Sequence, residues 1–366
     1  MNQPMNYRGA LQDIIKKGIM SIGIDIGKYN IKIIELAEDN GAIQIVNSGI
    51  IDTFNDLKLY DLDKISASQI IASIQDLLKN MNYKPKKIKK LVTSLPGVDV
   101  DARQVSILDM PDNELVLSLE LEAKKHLPLD GTDAIIDYHH LGKNNTELDK
   151  INLILTTTTK NKIKDHAEIL KKSNLKPDIF DTDSIALSNL YQFSYDLPES
   201  GSDVILDIGH SSTTLIVWGK NSTFFTREIE ISGHQIIKAL TREKNIDYEE
   251  ASNIITTQGV NAFSADVNSN DGSIAIEQRT IYNDFVDEIR KTLRFYMKNN
   301  NQSFFNNFYI SGGSALTEGL DDFIANSLNV KVEHFDPFKK ITNNANIDNP
   351  LSFSIAIGLA LRGLNS

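Results

Sequence analysis

The sequence predicts an α/β protein of two lobes of common design, and three observations predict it. The first is an internal repeat: an apolar strand closed by Asp25-Ile26-Gly27 recurs as a strand closed by Asp207-Ile208-Gly209, 182 positions later. Each copy is followed by a returning strand and then a third. The second is the alternation of short β-branched runs with helical patterns along the whole chain. The third is length, because 366 residues exceed one ordinary core.

Ile19 to Ile26 is apolar and β-branched, as a buried strand requires. Ile31 to Leu36 and Ala42 to Val46 follow, the latter after the turn signal Asp39-Asn40-Gly41, so the chain opens with a three-strand meander. Ser66 to Asn80 is a helix with Ile70, Ile71, Ile74, Leu77 and Leu78 on one face. Lys90 to Leu95 is a strand halted by Pro96-Gly97. Val98 to Lys150 reads as an inserted α+β unit, with strands at Gln104 to Leu108 and Ile135 to Leu141 around a helix from Asn113 to His126 that Asp112 caps. Ile151 to Thr157 is expected to return the chain to the first lobe. Helices at Lys160 to Ser173 and Asp183 to Tyr195 complete that lobe, and Pro198 to Ser202 links the two.

In the second lobe, Asp203 to Gly209, Thr213 to Trp218 and Ser222 to Glu230 repeat the opening meander. Helices follow at Gly233 to Lys244 and Tyr248 to Thr257, then a polar loop from Asn261 to Gly272. The helix Ile281 to Lys298 carries Phe285, Ile289, Leu293 and Tyr296 at core spacing. Phe308 to Ile310 is a strand running into Ser311-Gly312-Gly313. Helices at Gly319 to Ser327 and Phe353 to Gly363 end the chain.

Composition narrows function. There is no cysteine, which excludes disulfides, thiolate zinc sites and cysteine nucleophiles. A net charge of −11 disfavours broad attraction to nucleic acid or anionic lipid. Lys84 to Lys90 reads as a solvated connection, a local basic patch being the sharper alternative. No apolar run reaches the roughly 20 residues of a membrane-spanning helix, and Met1 to Gly18 lacks a signal's apolar centre. A cytoplasmic protein with a short amino-terminal arm is expected.

A glycine turn between strands frees backbone N–H groups to meet phosphate oxygens. The carboxylates Asp25 and Asp207 are suited to holding Mg²⁺ through water, since that ion keeps much of its hydration shell. Lys32, on the returning strand, is placed to reach a phosphate, and Ser211, Ser212 and Thr213 are further donors. His210 lies in the second turn. Asp183 opens a helix, either as its cap or as a group orienting water. Adjacent His139 and His140 point to opposite faces of a strand and cannot share a metal. Ser311 to Leu320 combines a strand end, paired glycines and a helix, a flat surface for a nucleoside.

These three elements in this order resemble the phosphate and adenosine motifs of the actin/Hsp70/sugar-kinase superfamily. Ser94-Leu95-Pro96-Gly97, Glu122 to Pro128, Phe180 to Tyr191 and Ala356 to Arg362 narrow the resemblance to the type IV pilus assembly protein PilM family, a relative of FtsA. The resemblance implies a bilobed actin-like fold, RNase H-like and duplicated, with an inserted FtsA-like 1C subdomain. Subdomain 1A would span 19–97 and 151–197, 1C 98–150, 2A 201–238 and 281–366, and 2B 239–280. It implies ATP and Mg²⁺ in the cleft, with Asp25 and Asp207 at the metal and Asp25, Asp207 and Asp183 in the catalytic role of an at most slow ATPase. The nucleotide would meet Gly27, Lys28, Asn30 and Lys32, then Gly209, His210, Ser211 and Thr213, then Gly233, Gly312, Gly313 and Leu316. The partner implied is the cytoplasmic tail of PilN, in a groove between 1A and 1C, with membrane association only through such inner-membrane assembly proteins. No nucleic acid is implied, and homo-oligomerisation stays open. A sugar-kinase-type phosphotransferase and a nucleotide-free adaptor are the alternatives on the same fold. FtsA-like chains end in a membrane-binding helix and this sequence ends at Ser366, so a division role is not expected. Where the family favours small hydroxyl residues after the first turn, Lys28-Tyr29-Asn30 stand here. Ser252 and Ile255 stand where relatives place Glu and Lys, so nucleotide affinity is expected to be weak or lost.

Overall fold

The computed structural model describes residues 19–85, 88–125, 133–144, 146–264, 279–300, 302–342 and 347–366. The expected amino-terminal arm, the centre of the lysine run, the stretch following Lys125 and most of the 261–272 loop lie outside them.

A six-stranded sheet forms the first lobe. Its meander is β1 (Ile19–Ile26), β2 (Asn30–Asp39) and β3 (Ala42–Asp52), and β4 (Leu91–Leu95) lies parallel to β1. Alternation decides what each face of β2 meets. Ile31 and Ile33 enter one apolar cluster with Leu77 and Leu78 of α1 (Ala67–Asn80), while Ile34 and Leu36 enter the large cluster shared with the second lobe. Lys32 lies on that second face. Helix α1 starts at a full capping box, Ser66 with Gln69.

The inserted unit is a three-stranded antiparallel sheet covered by α2 (Asp112–Ala123). Asp112 is the first helical residue and Pro111 occupies the cap position, so the expected Asp112 cap does not form. Strand β7 (Lys150–Thr159) is the middle strand, between β5 (Asp101–Leu108) and β6 (Ala134–Lys143). The expected return to the first lobe at Ile151 is thus corrected: the inserted sheet runs on to Thr159. Helix α3 (Lys160–Lys172) then leads to β8 (Ile179–Thr182), which completes the edge of the first sheet beside β4. Helix α4 (Asp183–Ser194) closes this part of the chain.

The second lobe repeats the meander as β9 (Asp203–Ile208), β10 (Thr213–Trp218) and β11 (Phe225–Ile229), extended by β12 (Phe308–Ser311) and β13 (Val332–His334). Helices α5 (Gly233–Lys244), α6 (Tyr248–Gln258), α7 (Ile281–Asn300) and α8 (Leu320–Leu328) flank it. Two carboxy-terminal elements cross back. Strand β14 (Ile341–Thr342) pairs with β3, and α9 (Ser354–Leu364) packs on β1, β2, β4 and α4. Assigning 281–366 as one block to the second lobe is corrected accordingly. Gly23 permits the α9 contact: a Cβ there would stand 2.0 Å from the Ala356 carbonyl oxygen.

A cleft between two glycine turns

The two turns have the same backbone plan and place their carboxylates alike. In strand register Asp25 stands opposite Lys32, and Asp207 stands opposite Thr214. The Lys32 ammonium donates to Asp25 at 2.9 Å, with both side chains almost wholly buried. Asp207 has no cation across the strand. Burial first, then the charge of Asp25, pushes its carboxyl up to about 7, against the pull of Lys32 and a Ser311 hydrogen bond.

Two more carboxyls face this region. Asp183 is buried at the head of α4, accepts from the Ser94 hydroxyl at 2.5 Å, and is held well above the usual carboxylate range by burial and by Asp25, Glu228 and Asp207. The helix cap is the Thr182 hydroxyl, which accepts from the Ile185 N–H, so Asp183 is not the cap. Glu228 on β11 was not singled out from sequence. Thr214 donates to its Oε1 at 2.8 Å, its Oε2 has no partner within the described residues, and burial raises it. Within the described residues, no three His, Asp or Glu side chains gather closely enough to ligate a metal directly.

The other predicted residues divide. The Gly209 N–H closes its own turn on Ser212, and the Gly209 carbonyl accepts from the Gly233 N–H and the Ser314 hydroxyl. Thr213 is wholly buried with its hydroxyl committed to the Ile231 carbonyl, so the expected donor role at the cleft is not what this geometry offers. Gly312 has φ +89, and a Cβ there would strike the Ile208 carbonyl oxygen at 2.5 Å; the second glycine turn and the third glycine element therefore pack backbone to backbone. A Cβ on Gly313 would meet Ser352 at 3.8 Å, an ordinary van der Waals contact. Leu316 beside it is half exposed and Lys28 is exposed, while Asn30 begins β2 and Ser211 is half-buried. Ile255 turns into the core of the second lobe, so it does not stand for a cleft-facing lysine. Ser252 is half-buried on the same helix.

Rings occupy the space between the turns. Tyr29, from the first, lies on His210, from the second, with centroids 3.9 Å apart and planes inclined by 30°. Phe54 and Tyr60 pack on the Tyr29 side, while His234 and Tyr248 continue the cluster into the second lobe. The Tyr248 hydroxyl hydrogen-bonds both His210 Nε2 at 3.0 Å and His234 Nδ1 at 2.9 Å. Burial above all, then His234 and Lys32, pushes His210 down to about 3. With both imidazoles neutral, Tyr248 donates to one and accepts from the other. Tyr29 was legible as a departure from a small-residue pattern; Tyr60, His234 and Tyr248 carried no such signal.

Most of the chain matches known proteins. The structure aligns with a PilM–PilN type IV pilus biogenesis complex at TM-score 0.77 and 21% identity, covering 94% of this chain and 98% of that one. It also resembles the ethanolamine utilization protein EutJ of Carboxydothermus hydrogenoformans (TM-score 0.53, 12% identity, 95% and 91% covered). A diol dehydratase-reactivating factor in nucleotide-free form aligns at TM-score 0.51 and 10% identity, over 95% and 100%. These likenesses establish the actin-like fold. The family model for type IV pilus assembly protein PilM matches residues 23–364, and the chain belongs to that family.

Proposed function

We propose that this protein is an actin-like scaffold of the type IV pilus assembly machinery that holds the cytoplasmic amino-terminal tail of PilN. The observation that carries this reading is the alignment with a PilM–PilN complex over 94% of the chain. The groove between the first lobe and that insert is the place the family resemblance assigns to the tail. No helix among the described residues is long and apolar enough to cross a membrane. PilN and its inner-membrane partners would then supply the membrane attachment, at the cytoplasmic face. Isothermal titration of the full chain with a synthetic PilN-tail peptide tests the assignment. Saturable one-to-one binding supports it, and no heat above dilution at high peptide concentration would sink it.

The cleft is the nucleotide site of this scaffold. Its residues suit ATP in part. Gly27 and Gly209 leave tight turns, each with a carbonyl oxygen 2.8 Å from where a Cβ would stand, and Gly313 puts no side chain on the nucleoside surface. Lys32 is the buried cation for the phosphates, and Asp25 and Asp207 would hold Mg²⁺ through its waters. With Mg-ATP bound, Lys32 would face the phosphates, and the charge of the Mg²⁺ ion would offset the carboxylates of Asp25 and Asp207. In the present arrangement Lys32 is engaged with Asp25, and Asp207 competes for a proton near neutral pH. Mg²⁺ affinity should therefore rise with pH through about 7.

A further inference from the structure

A phosphate chain would have to pass the residues just beyond the turn glycines. In this protein Tyr29, two positions past Gly27, and His210, next to Gly209, stand there in face contact. The contact is not isolated. Tyr60 from the first lobe lies 5.3 Å from the His210 ring and 5.3 Å from the Tyr248 ring, so one aromatic cluster spans both lobes. The backbone fixes both stacked residues. The Thr53 hydroxyl donates to the Lys28 and Tyr29 carbonyls, and the His210 carbonyl accepts from the His234 N–H and the Ser232 hydroxyl. The Tyr248 hydroxyl holds the His210 ring in plane. At the outer lip, Lys58 and Glu249 pair at 3.5 Å across the same boundary, although both are solvent-exposed and add little.

A half-buried ring contact of this kind needs no nucleotide to draw two lobes together, because apolar burial and stacking supply attraction themselves. We propose that Tyr29 and His210 form a latch that closes the cleft in place of a bridging nucleotide, so that a nucleoside triphosphate enters only when the stack parts. The inference rests on the reading of the cleft as a nucleotide site. It adds that lobe closure, and with it the shape offered to a partner, is built into the protein's own side chains. Removing either ring opens the lobes. Apparent nucleotide affinity then rises, since only the open fraction can bind.

The absence of cysteine makes the test direct. Spin labels at S68C on α1 and N253C on α6, both exposed, report the distance between the lobes by pulsed electron paramagnetic resonance. The full chain is expected to give one short distance without nucleotide, with a longer population appearing only as Mg-ATP approaches saturation. Y29S and H210S are expected to give a longer or bimodal distance, and Y29F, which keeps the ring, the short one. In calorimetry Y29S should bind Mg-ATP about tenfold more tightly than the unaltered chain, the change that ~1.4 kcal/mol of lost inter-lobe contact makes. The two ring-removal variants act from opposite lobes, so misfolding of one leaves the other to report. An unchanged distance in the folded ring-removal variants overturns the latch. Weaker Mg-ATP binding by Y29S also overturns it, because the ring would then be holding nucleotide rather than excluding it. An opened variant that takes no Mg-ATP upholds the latch and removes the nucleotide reading instead.

Discussion

The first glycine turn and the second are duplicates in backbone and opposites in chemistry. Each closes a strand, returns antiparallel, and places an aspartate opposite a residue of the returning strand. In the first lobe that residue is Lys32 and the carboxylate is neutralised by a cation. In the second it is Thr214, and the carboxyl of Asp207 is neutralised by a proton as neutrality is approached from below. The lesson is that a structural repeat conserves hydrogen-bond geometry, which the main chain supplies, far more readily than charge, which single side chains supply.

The largest effect should come from removing the cation. K32M leaves the buried Asp25 without its partner, and breaking such a pair costs on the order of 3 kcal/mol. Urea unfolding at pH 8 should show this loss. A loss below about 1 kcal/mol would mean that the pair contributes no more than an exposed ion pair does.

The mirror substitution in the other lobe should have the opposite sign. The Asp207 carboxyl is raised in the folded protein, so folding favours its protonated form. That contribution is intact below about pH 4 and is lost as pH rises towards about 7. D207N should therefore be nearly neutral at pH 4.5 and stabilising at pH 8, by on the order of 2 kcal/mol. A destabilisation at pH 8 would show that a charged Asp207 is paid back by contacts absent from this account.

Smaller changes sharpen the contrast. T214V deletes the hydrogen bond to Glu228 and should cost about 1.5 kcal/mol in the same unfolding assay, roughly half the cost of losing the Lys32 pair. Y60F deletes a buried hydroxyl that has no partner within the described residues, and thermal unfolding should show no loss, or a gain below about 1 kcal/mol. A loss of 2 kcal/mol would reveal an unseen partner, such as ordered water.

Much of this was legible in the sequence. The meanders show as β-branched runs broken by glycine, and the repeat of Asp-Ile-Gly marks two lobes. Sheet membership was less so. The composition of β7 says strand, but which strands it joins is a long-range choice that its own residues do not encode. The same holds for α9: Ala356, Gly358 and Ala360 announce close packing without naming the lobe against which they pack. In the cleft, Asp25, Lys32 and Asp207 follow from local spacing. Glu228, Tyr60, His234 and Tyr248 come from separate elements and meet only in the folded chain. Thr213 misled because a hydroxyl next to a phosphate-type turn looks available until its acceptor, the Ile231 carbonyl, is known.

The contrast between the turns is tested most directly by the titration of one carboxyl. Aspartate labelled with ¹³C at the side-chain carboxyl, with the Asp207 signal assigned by its loss in D207N, can be followed by NMR across pH. A midpoint near 7 is predicted. A midpoint near 4, the ordinary aspartate value, would contradict the claim that the second turn holds its carboxyl by a proton.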